Sequence, residues 1–432
     1  MGYYAILSPA LTGHLNPFSV LGRELQRRGH RVVVIAPRDG EAKIRRAGLE
    51  FLPVAEIEFP PGEWDRATAQ IGELTGLKAS RFIGHWLGRF ARGILRDLPG
   101  IAGRERFDGL IMDQVSIGTE SVCQSLGLPM AVACNALTLH AERGVPPLLF
   151  SWRYRTSLPF HVRNMLGLLL AYSTGWPVSV EVVRFRVKHK LPGMRFYHMN
   201  ELPPSLVQVA QQPGFFDFPR KHLPDHFHYT GPWKNQGAGT DGDFPWDKLD
   251  GRPMIYASMG TLQNRLGHVF RIIAEACSGM DAQLVLALGR QNGAPSEDLP
   301  GDPIVVGYTP QQALLRRATM VITHGGLNTT LESLAEALPM VVVPIANDQP
   351  GVAARIAHLG LGEFIPVAKL TTAGLREQVR RVLTTPGYRE RAARRAAEIR
   401  RVDGPAMAAE LIEAAFTSRQ RIINKSRSQP VI

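Results

Sequence analysis

The sequence predicts an α/β protein of two doubly wound, Rossmann-like domains facing each other across a cleft. Three observations predict it. Short apolar strands alternate with amphipathic helices through residues 3–135, the rhythm breaks, and it resumes at residue 254 after a stretch rich in Gly, Asp and Pro. A chain of 432 residues is too long for one ordinary core and suits two. The expected division is 1–232 and 254–432, joined by a linker at 233–253, with the last helix packing back on the first domain.

"YYAILSP" (3–9) is a continuous apolar run, as parallel strands buried on both faces require. "NPFSVLGRELQRRG" (16–29) then reads as a helix capped by Asn16, with Pro17 at its first position and Gly29 closing it. "RVVVIAP" (31–37) completes a βαβ unit. "DGLIMD" (108–113) and "PMAVACN" (129–135) are strands flanking the helix "ESVCQSLG". Residues 136–230 are irregular, mixing Trp, Phe, Leu and Pro with Arg and Lys. "GPWKNQGAGTDGDFPWDKLDGRP" (231–253) has no periodicity and reads as a linker. Alternation restarts with "MIYASMG", "HVFRIIAEACSGM", "AQLVLALG", "PIVVGY", "QQALLRRA", "TMVITH" and "PMVVVPI".

Hydrophobic content of 44% and charged content of 20% describe a soluble globular protein. Cys123, Cys134 and Cys277 lie in apolar runs without metal or redox spacing, so buried thiols in a reducing compartment are expected. The N-terminus has no basic flank and cleavable apolar region, and no apolar run reaches the length of a membrane span. A cytoplasmic location is expected. The net charge of +12 comes without zinc spacing, a recognition-helix pattern or an RNP-like motif, which argues against a nucleic-acid partner. Anionic membrane or an anionic ligand would explain it.

The most informative stretch is "THGGLNTTLESLAEALPMVVVPIANDQPG" (323–351). A strand delivers His324 to the carboxyl edge of the second sheet, and Gly325 and Gly326 let the backbone turn tightly and approach a ligand. Leu331, Leu334, Ala335 and Leu338 mark one face of the helix that follows. Its N-terminus, near Asn328 and Thr329, offers free amides and the positive dipole end to a phosphate. Thr329 to Glu332 is also a capping box, in which Glu332 would satisfy only the backbone. "GYTPQQALL" (307–315) and "ANDQPG" (346–351) put two more polar elements on the same strand edge, which favours a ligand site.

Taken together, "YTPQ" (308–311), "HGGLNT" (324–329), Glu332 and "DQ" (348–349) resemble the donor-binding signature of family-1 UDP-glycosyltransferases, and the two-domain organisation resembles their GT-B fold over essentially the whole chain. The resemblance implies a UDP-sugar donor. Tyr308 would stack on the uracil, where many members have Trp, with Gln311 beside the base. His324, Gly326, Asn328 and Thr329 would contact the diphosphate, Glu332 the ribose, and Asp348 and Gln349 the sugar. Ser258, in "YASMGT", matches the strand end that reaches a phosphate. Gly325, Gly326 and Leu327 replace the Cys-Gly-Trp common in plant members, a substitution usual in bacterial ones.

In the first domain, "LTGHLNP" (11–17) places His14 on the loop after the first strand. Alone it reads equally as a polar loop residue. With the donor signature it is the expected general base, and Asp113 matches the carboxylate that orients it; Asp108 should lie at the opposite end of the sheet. The leaving UDP would be held by helix dipole and donors, so no metal and no cofactor is implied beyond UDP-glucose as co-substrate. Paired glutamates eight positions apart, usual in retaining transferases, are absent: Met340 follows Glu332 and Pro344 follows Glu336 at that spacing. Inversion is expected. Asp241 and Asp243 imitate a metal motif but lie in the linker, and the basic stretch 388–401 reads as a solvated helix face.

Segment 136–200 should build much of the acceptor pocket, with Asn135, Phe150 and Trp152 contacting the acceptor. Its apolar residues interleave with cations, which also describes an interfacial membrane surface. "GHLNPFSVLGRELQRRGHRV", "GLNTTLESLAEALPMVVVPIANDQPGVAARI" and "LGLGE" look most like bacterial zeaxanthin glucosyltransferases, implying an apolar hydroxylated acceptor, a carotenoid such as zeaxanthin. So insoluble an acceptor would be collected from a membrane, and the apolar, cation-rich segment near 148–190 suits peripheral contact with an anionic one. Soluble flavonoid, terpenoid or macrolide acceptors, a nucleotide-sugar epimerase on the same fold, and a non-catalytic nucleotide-sugar binder are the alternatives. Retention of both His14 and Asp113 argues against the last.

Overall fold

Two wholly parallel sheets, each sandwiched between helices, make up the computed structural model, which describes residues 1–192, 205–234, 244–262, 265–289, 298–307 and 309–425. The first sheet holds β1 (Tyr3–Leu7), β2 (Arg31–Ala36), β3 (Glu50–Pro53), β4 (Gly109–Asp113), β5 (Met130–Cys134), β6 (Ser205–Ala210) and β7 (Phe227–Tyr229), in the order β3-β2-β1-β4-β5-β6-β7. The second holds β8 (Met254–Ser258), β9 (Gln283–Ala287), β10 (Ile304–Val306), β11 (Met320–Thr323), β12 (Met340–Val342) and β13 (Gly362–Phe364), in the order β10-β9-β8-β11-β12-β13. Both sheets reverse their winding at an inner pair, β1/β4 and β8/β11. Open α/β sheets bind ligands at such switch points, beyond the carboxyl ends of the strands.

The first domain carries α1 (Thr12–Arg27), α2 (Glu41–Arg46), α3 (Glu63–Ile71), α4 (Gly76–Glu105), α5 (Thr119–Leu126), α6 (Leu158–Thr174) and α7 (Trp176–Lys188). The second carries α8 (Gly267–Cys277), α9 (Gln311–Leu315), α10 (Leu327–Ala335), α11 (Gln349–His358), α12 (Thr372–Thr384) and α13 (Pro386–Arg400), and α14 (Gly404–Ser418) follows. Alternate residues of each strand feed cores on opposite faces: Ala5 and Leu7 join Phe90 and Ile94 of α4, whereas Tyr4 and Ile6 join Phe18 and Leu21 of α1. The three cysteines are buried and free.

Four features differ from the sequence-based expectation. Helix α1 begins at Thr12, so His14 sits in its first turn instead of on a loop; Asn16 is exposed, and Pro17 lies inside the helix. The stretch 136–230 is not irregular throughout, because it contains α6, α7 and the strands β6 and β7. Trp233, the expected start of the linker, is buried against Phe18 in the first domain's core. Thr329 is the third residue of α10, whose N-cap is Gly326 with no side-chain cap, so Glu332 closes no capping box. Asp241 and Asp243 lie outside the described residues. Asp108 bonds the Tyr3 amide at the start of β1, at the end of the sheet away from Asp113.

Helix α14 returns to the first domain. Its Phe416 packs on Tyr4 with ring centroids 5.0 Å apart, and its Glu413 accepts from Arg28 at 2.8 Å and pairs with His30 at 2.6 Å. The domains are also tied through a buried ion pair, Asp217 with Arg355 of α11, at 2.6 Å. Arg220 and the Tyr229 hydroxyl complete the carboxylate's shell at 3.0 and 2.7 Å, and the Arg355 guanidinium lies 4.4 Å over the Phe218 ring. Burial alone would push the Asp217 carboxyl up. The Arg220 and Arg355 charges outweigh it and hold the group well below the usual carboxylate range.

Candidate active site

The carboxyl edges of the two sheets meet, and the polar residues at the strand ends meet with them. On the first edge, the Asp113 carboxylate ends β4 fully buried and lies 2.7 Å from His14 Nδ1. Its other partners are the Ser8 hydroxyl at 3.3 Å and the Val115 amide at 3.1 Å. With Nδ1–H given to Asp113, His14 keeps Nε2 as an unprotonated base. Burial opposes a charge on the ring, but the Asp113 carboxylate, its hydrogen bond and, across the cleft, Asp348 together raise the His14 pKa above its ordinary value.

On the second edge, His324 follows β11 and Ser258 ends the neighbouring β8, with Thr323 and Ser258 in register. The imidazole lies between Gly260 and Gly326, and a Cβ at either would run into it. Gly325, at φ +88°, turns the chain where a Cβ would strike Val342. Burial holds the His324 pKa down to about 4, so the ring is neutral. Helix α10 starts with the amides of Leu327, Asn328 and Thr329, the arrangement that binds phosphate. Glu332, one turn on, accepts from Gln311 Nε2 at 2.6 Å, and Gln311 Oε1 accepts from the Tyr256 hydroxyl at 3.2 Å. Burial raises the Glu332 carboxyl, with Gln311 and Lys234 pulling the other way. Tyr308 lies outside the described residues.

Several bonds cross the cleft. Asn328 Nδ2 donates to the Gly13 carbonyl at 2.7 Å, and its Oδ1 accepts from Gln211 Nε2 at 2.7 Å. Gln211 also donates to the Asn135 carbonyl, and the Asn135 amide reaches the His14 carbonyl at 3.4 Å. The Leu137 amide donates to Asp348 Oδ2 at 3.2 Å, while burial raises the pKa of that carboxyl. Gln349 Oε1 accepts from the Ile345 and Ala346 amides at 2.9 and 3.1 Å, fixing the turn that carries Asp348.

The structure therefore brings His14, Asp113, Asn135, Asn328 and Asp348 into one linked set, with Gln311, Thr329 and Glu332 along α10. Phe150 and Trp152 do not join it through their contacts: they stack on each other at 4.1 Å, against Gly167 of α6. Sequence reasoning missed Gln211, although "QVAQQPG" (208–214) carries the signal used elsewhere, a polar pair ending an apolar strand. Among the described residues, no three His, Cys, Asp or Glu side chains gather into a set able to hold a metal ion.

The sequence is 31% identical to a zeaxanthin glucosyltransferase of Pantoea ananas over 99% of this chain and 99% of that protein. The chain belongs to the family-1 UDP-glycosyltransferases. A zeaxanthin glucosyltransferase of Pseudescherichia vulneris is 30% identical to this transferase over 98% of the chain and 100% of that protein. Residues 271–414 match the family described as erythromycin biosynthesis protein CIII-like, C-terminal domain. The glycosyltransferase of kitacinnamycin superposes with a TM-score of 0.74 at 23% identity, over 96% of this chain and 98% of its own, so the two share the GT-B fold. As a member of this family, the enzyme takes a nucleotide-sugar donor.

Proposed function

We propose that this enzyme moves glucose from UDP-glucose to a hydroxyl of an apolar acceptor, a carotenoid such as zeaxanthin, with inversion at the anomeric carbon and without a metal ion. The observation that carries the reading is the His14–Asp113 pair facing Asp348 and the N-terminus of α10 across a single cleft. The acceptor hydroxyl gives its proton to His14 Nε2 as its oxygen bonds to the anomeric carbon. The bond from that carbon to the UDP oxygen breaks on the opposite side. Asp113 stabilises the imidazolium, which returns its proton to solvent after the products leave. The charge developing on UDP is met by the α10 amides, with neutral His324, Ser258 and Thr329 alongside. Glu332 holds the ribose, Tyr308 and Gln311 the base, and Asp348 the sugar, with Gln349 setting the Asp348 turn. We place the reaction in the cytoplasm.

The test is incubation of the purified enzyme with UDP-glucose or dTDP-glucose and, separately, zeaxanthin, a flavonoid and a macrolide aglycone. Products are read by mass spectrometry and the anomeric configuration by NMR. Zeaxanthin glucosides of β configuration, formed faster from UDP-glucose, are expected. Preference for the dTDP donor, or glucosylation of only the soluble aglycones, would overturn the reading.

A further inference from the structure

Helix α6 is built inside-out for a helix facing water. Its buried positions are Asn164 and Gly167, while Leu158, Val162, Met165, Leu166, Leu169 and Leu170 are exposed. Their spacing is helical, so they form one continuous outward stripe. Leu166 and Leu169 keep 62% and 64% of their surface. The stripe continues past Gly175: Trp176 is 68% exposed at the elbow and Val187 73% exposed on α7. Soluble chains seldom leave a contiguous patch of this kind uncovered.

The elbow is fixed in place. Gly84 and Gly88, one turn apart on α4, receive Thr174 and Pro177, and a side chain at either glycine would collide with them. Val178, Val182 and Phe185 anchor α7 in the first domain's core, which turns Val183 and Val187 outward. The two helices meet at 67°, and among the described residues no single helix is long and apolar enough to cross a membrane. The bent pair together has that length and composition, but Val178, Val182 and Phe185 keep α7 in the first domain's core. A rigid V with an apolar outer stripe and a tryptophan at its bend suits the boundary of a bilayer, lying in it without crossing it.

Charge selects the occupant. Residues 148–190 contain seven Arg or Lys and one acid, Glu181. Arg153, Arg155, Arg184, Lys188 and Lys190 are exposed beside the stripe. Arg186 is different: it is buried, and it bonds Ser121 at 3.1 Å, Gln124 at 3.0 Å and the Pro192 carbonyl at 2.8 Å. A second copy of the chain would set one cationic rim against another, whereas anionic headgroups would neutralise both. The outer half of the first domain also touches the second domain close to α6. Trp152 and Phe150 lie against Gly167, and two residues earlier the Leu148 carbonyl accepts from the Gly351 amide of α11 at 2.8 Å.

We propose that α6 and α7 dock this enzyme on an anionic phospholipid bilayer, with the leucine stripe and Trp176 inserted among the acyl chains and the exposed Arg and Lys on the headgroups. The docking gives an apolar acceptor a route from lipid to the cleft; in that purpose it rests on the proposed function, but its test uses no acceptor. The full chain is sedimented with vesicles of neutral phosphatidylcholine, with or without about a third phosphatidylglycerol, at low and physiological salt. Binding to the anionic vesicles only, weakened about tenfold by salt, is expected. Arg184→Gln, Lys188→Gln and Lys190→Gln together should lower it about 100-fold, at roughly 1 kcal/mol per cation and 1.4 kcal/mol per tenfold. Leu166→Asn with Leu169→Asn should lower it at least tenfold. Both variants should retain wild-type UDP affinity, which shows that they fold. Equal binding to both vesicle types or none at low salt would overturn the proposal, as would a dimer, seen by sedimentation velocity without lipid, that the leucine variant dissociates.

Discussion

The Gly13 carbonyl of α1 accepts the side-chain amide of Asn328 of α10 at 2.7 Å, and it can do so because of Pro17. In an unbroken helix the N–H four residues on would take that carbonyl, and proline has none to give. The proline inside α1 thus leaves a carbonyl of the first domain available to the second.

Gln211 belongs to the first domain yet holds the Asn328 side chain from the other direction. Gln211→Leu should therefore raise the donor KM by about tenfold, the effect of losing about 1.4 kcal/mol of hydrogen bonding. Hydrogen exchange should rise at residues 11–15 and in the first turn of α10. An unchanged donor KM would show that this contact does not order the donor site.

Loss of the base should be severe. His14→Ala should lower the transfer rate by about 10²–10⁴ while UDP affinity, measured by calorimetry, stays near wild type. Transfer by His14→Ala at the wild-type rate would refute the assigned role.

Because Asp113 and Asp348 together raise the His14 pKa against burial, the acid limb of the rate profile should lie above the ordinary histidine value of about 6.5. Asp113→Asn should shift that limb to lower pH and reduce the maximum. The sign for stability follows from the same shift. The pair's contribution is full below the unfolded value and disappears as pH rises through the folded one. Urea melts of wild type and Asp113→Asn should therefore differ most at acid pH and converge as pH rises.

His324 should behave in the opposite sense. Its folded value of about 4 lies below the ordinary one, so its contribution to stability is present above about pH 6.5 and is lost as pH falls toward 4. His324→Gln should flatten the decline of stability across that window, read from urea midpoints.

The buried Asp217–Arg355 pair predicts a large mutational effect. Arg355→Ala should cost about 3–5 kcal/mol, with the lower end favoured because Arg220 still faces the carboxylate. Asp217→Asn should weaken the same junction, and a loss below about 1 kcal/mol in either variant would contradict the inferred tie.

The inner strands of both sheets and the strand–turn–helix that begins at 320 were legible because their signals are local, whereas β3, β6, β7 and β13, toward the sheet edges, were not. His324, two glycines and Asn328 at the end of an apolar run announce a strand, a tight turn and a helix start within six residues. The misreadings arose where a distant partner decides. Pro17 marks a first helical position by local rules, yet α1 tolerates it inside because Asn328 takes the freed carbonyl. The thirty residues of α4 went unread, since Gly84, Gly88 and Gly93 look like interruptions until Thr174, Pro177 and Ala55 are seen lying against them. Phe150 and Trp152, by contrast, carry a contact the sequence does not show, since they stack on each other against Gly167 of α6.

The return of α14 to the first domain bears on how the chain is made. Ala408, Ala409, Ile412, Ala415 and Phe416 belong to the same core as Tyr4, Ile6 and Phe18, and the Phe416 ring lies over Gly109 at the start of β4. On the ribosome the first domain emerges well before these residues and must wait, with that face of its sheet unfilled, while the whole second domain is synthesised. Completion of the first core therefore has to follow synthesis of the whole second domain, with residues 404–418 as the clasp that joins the two.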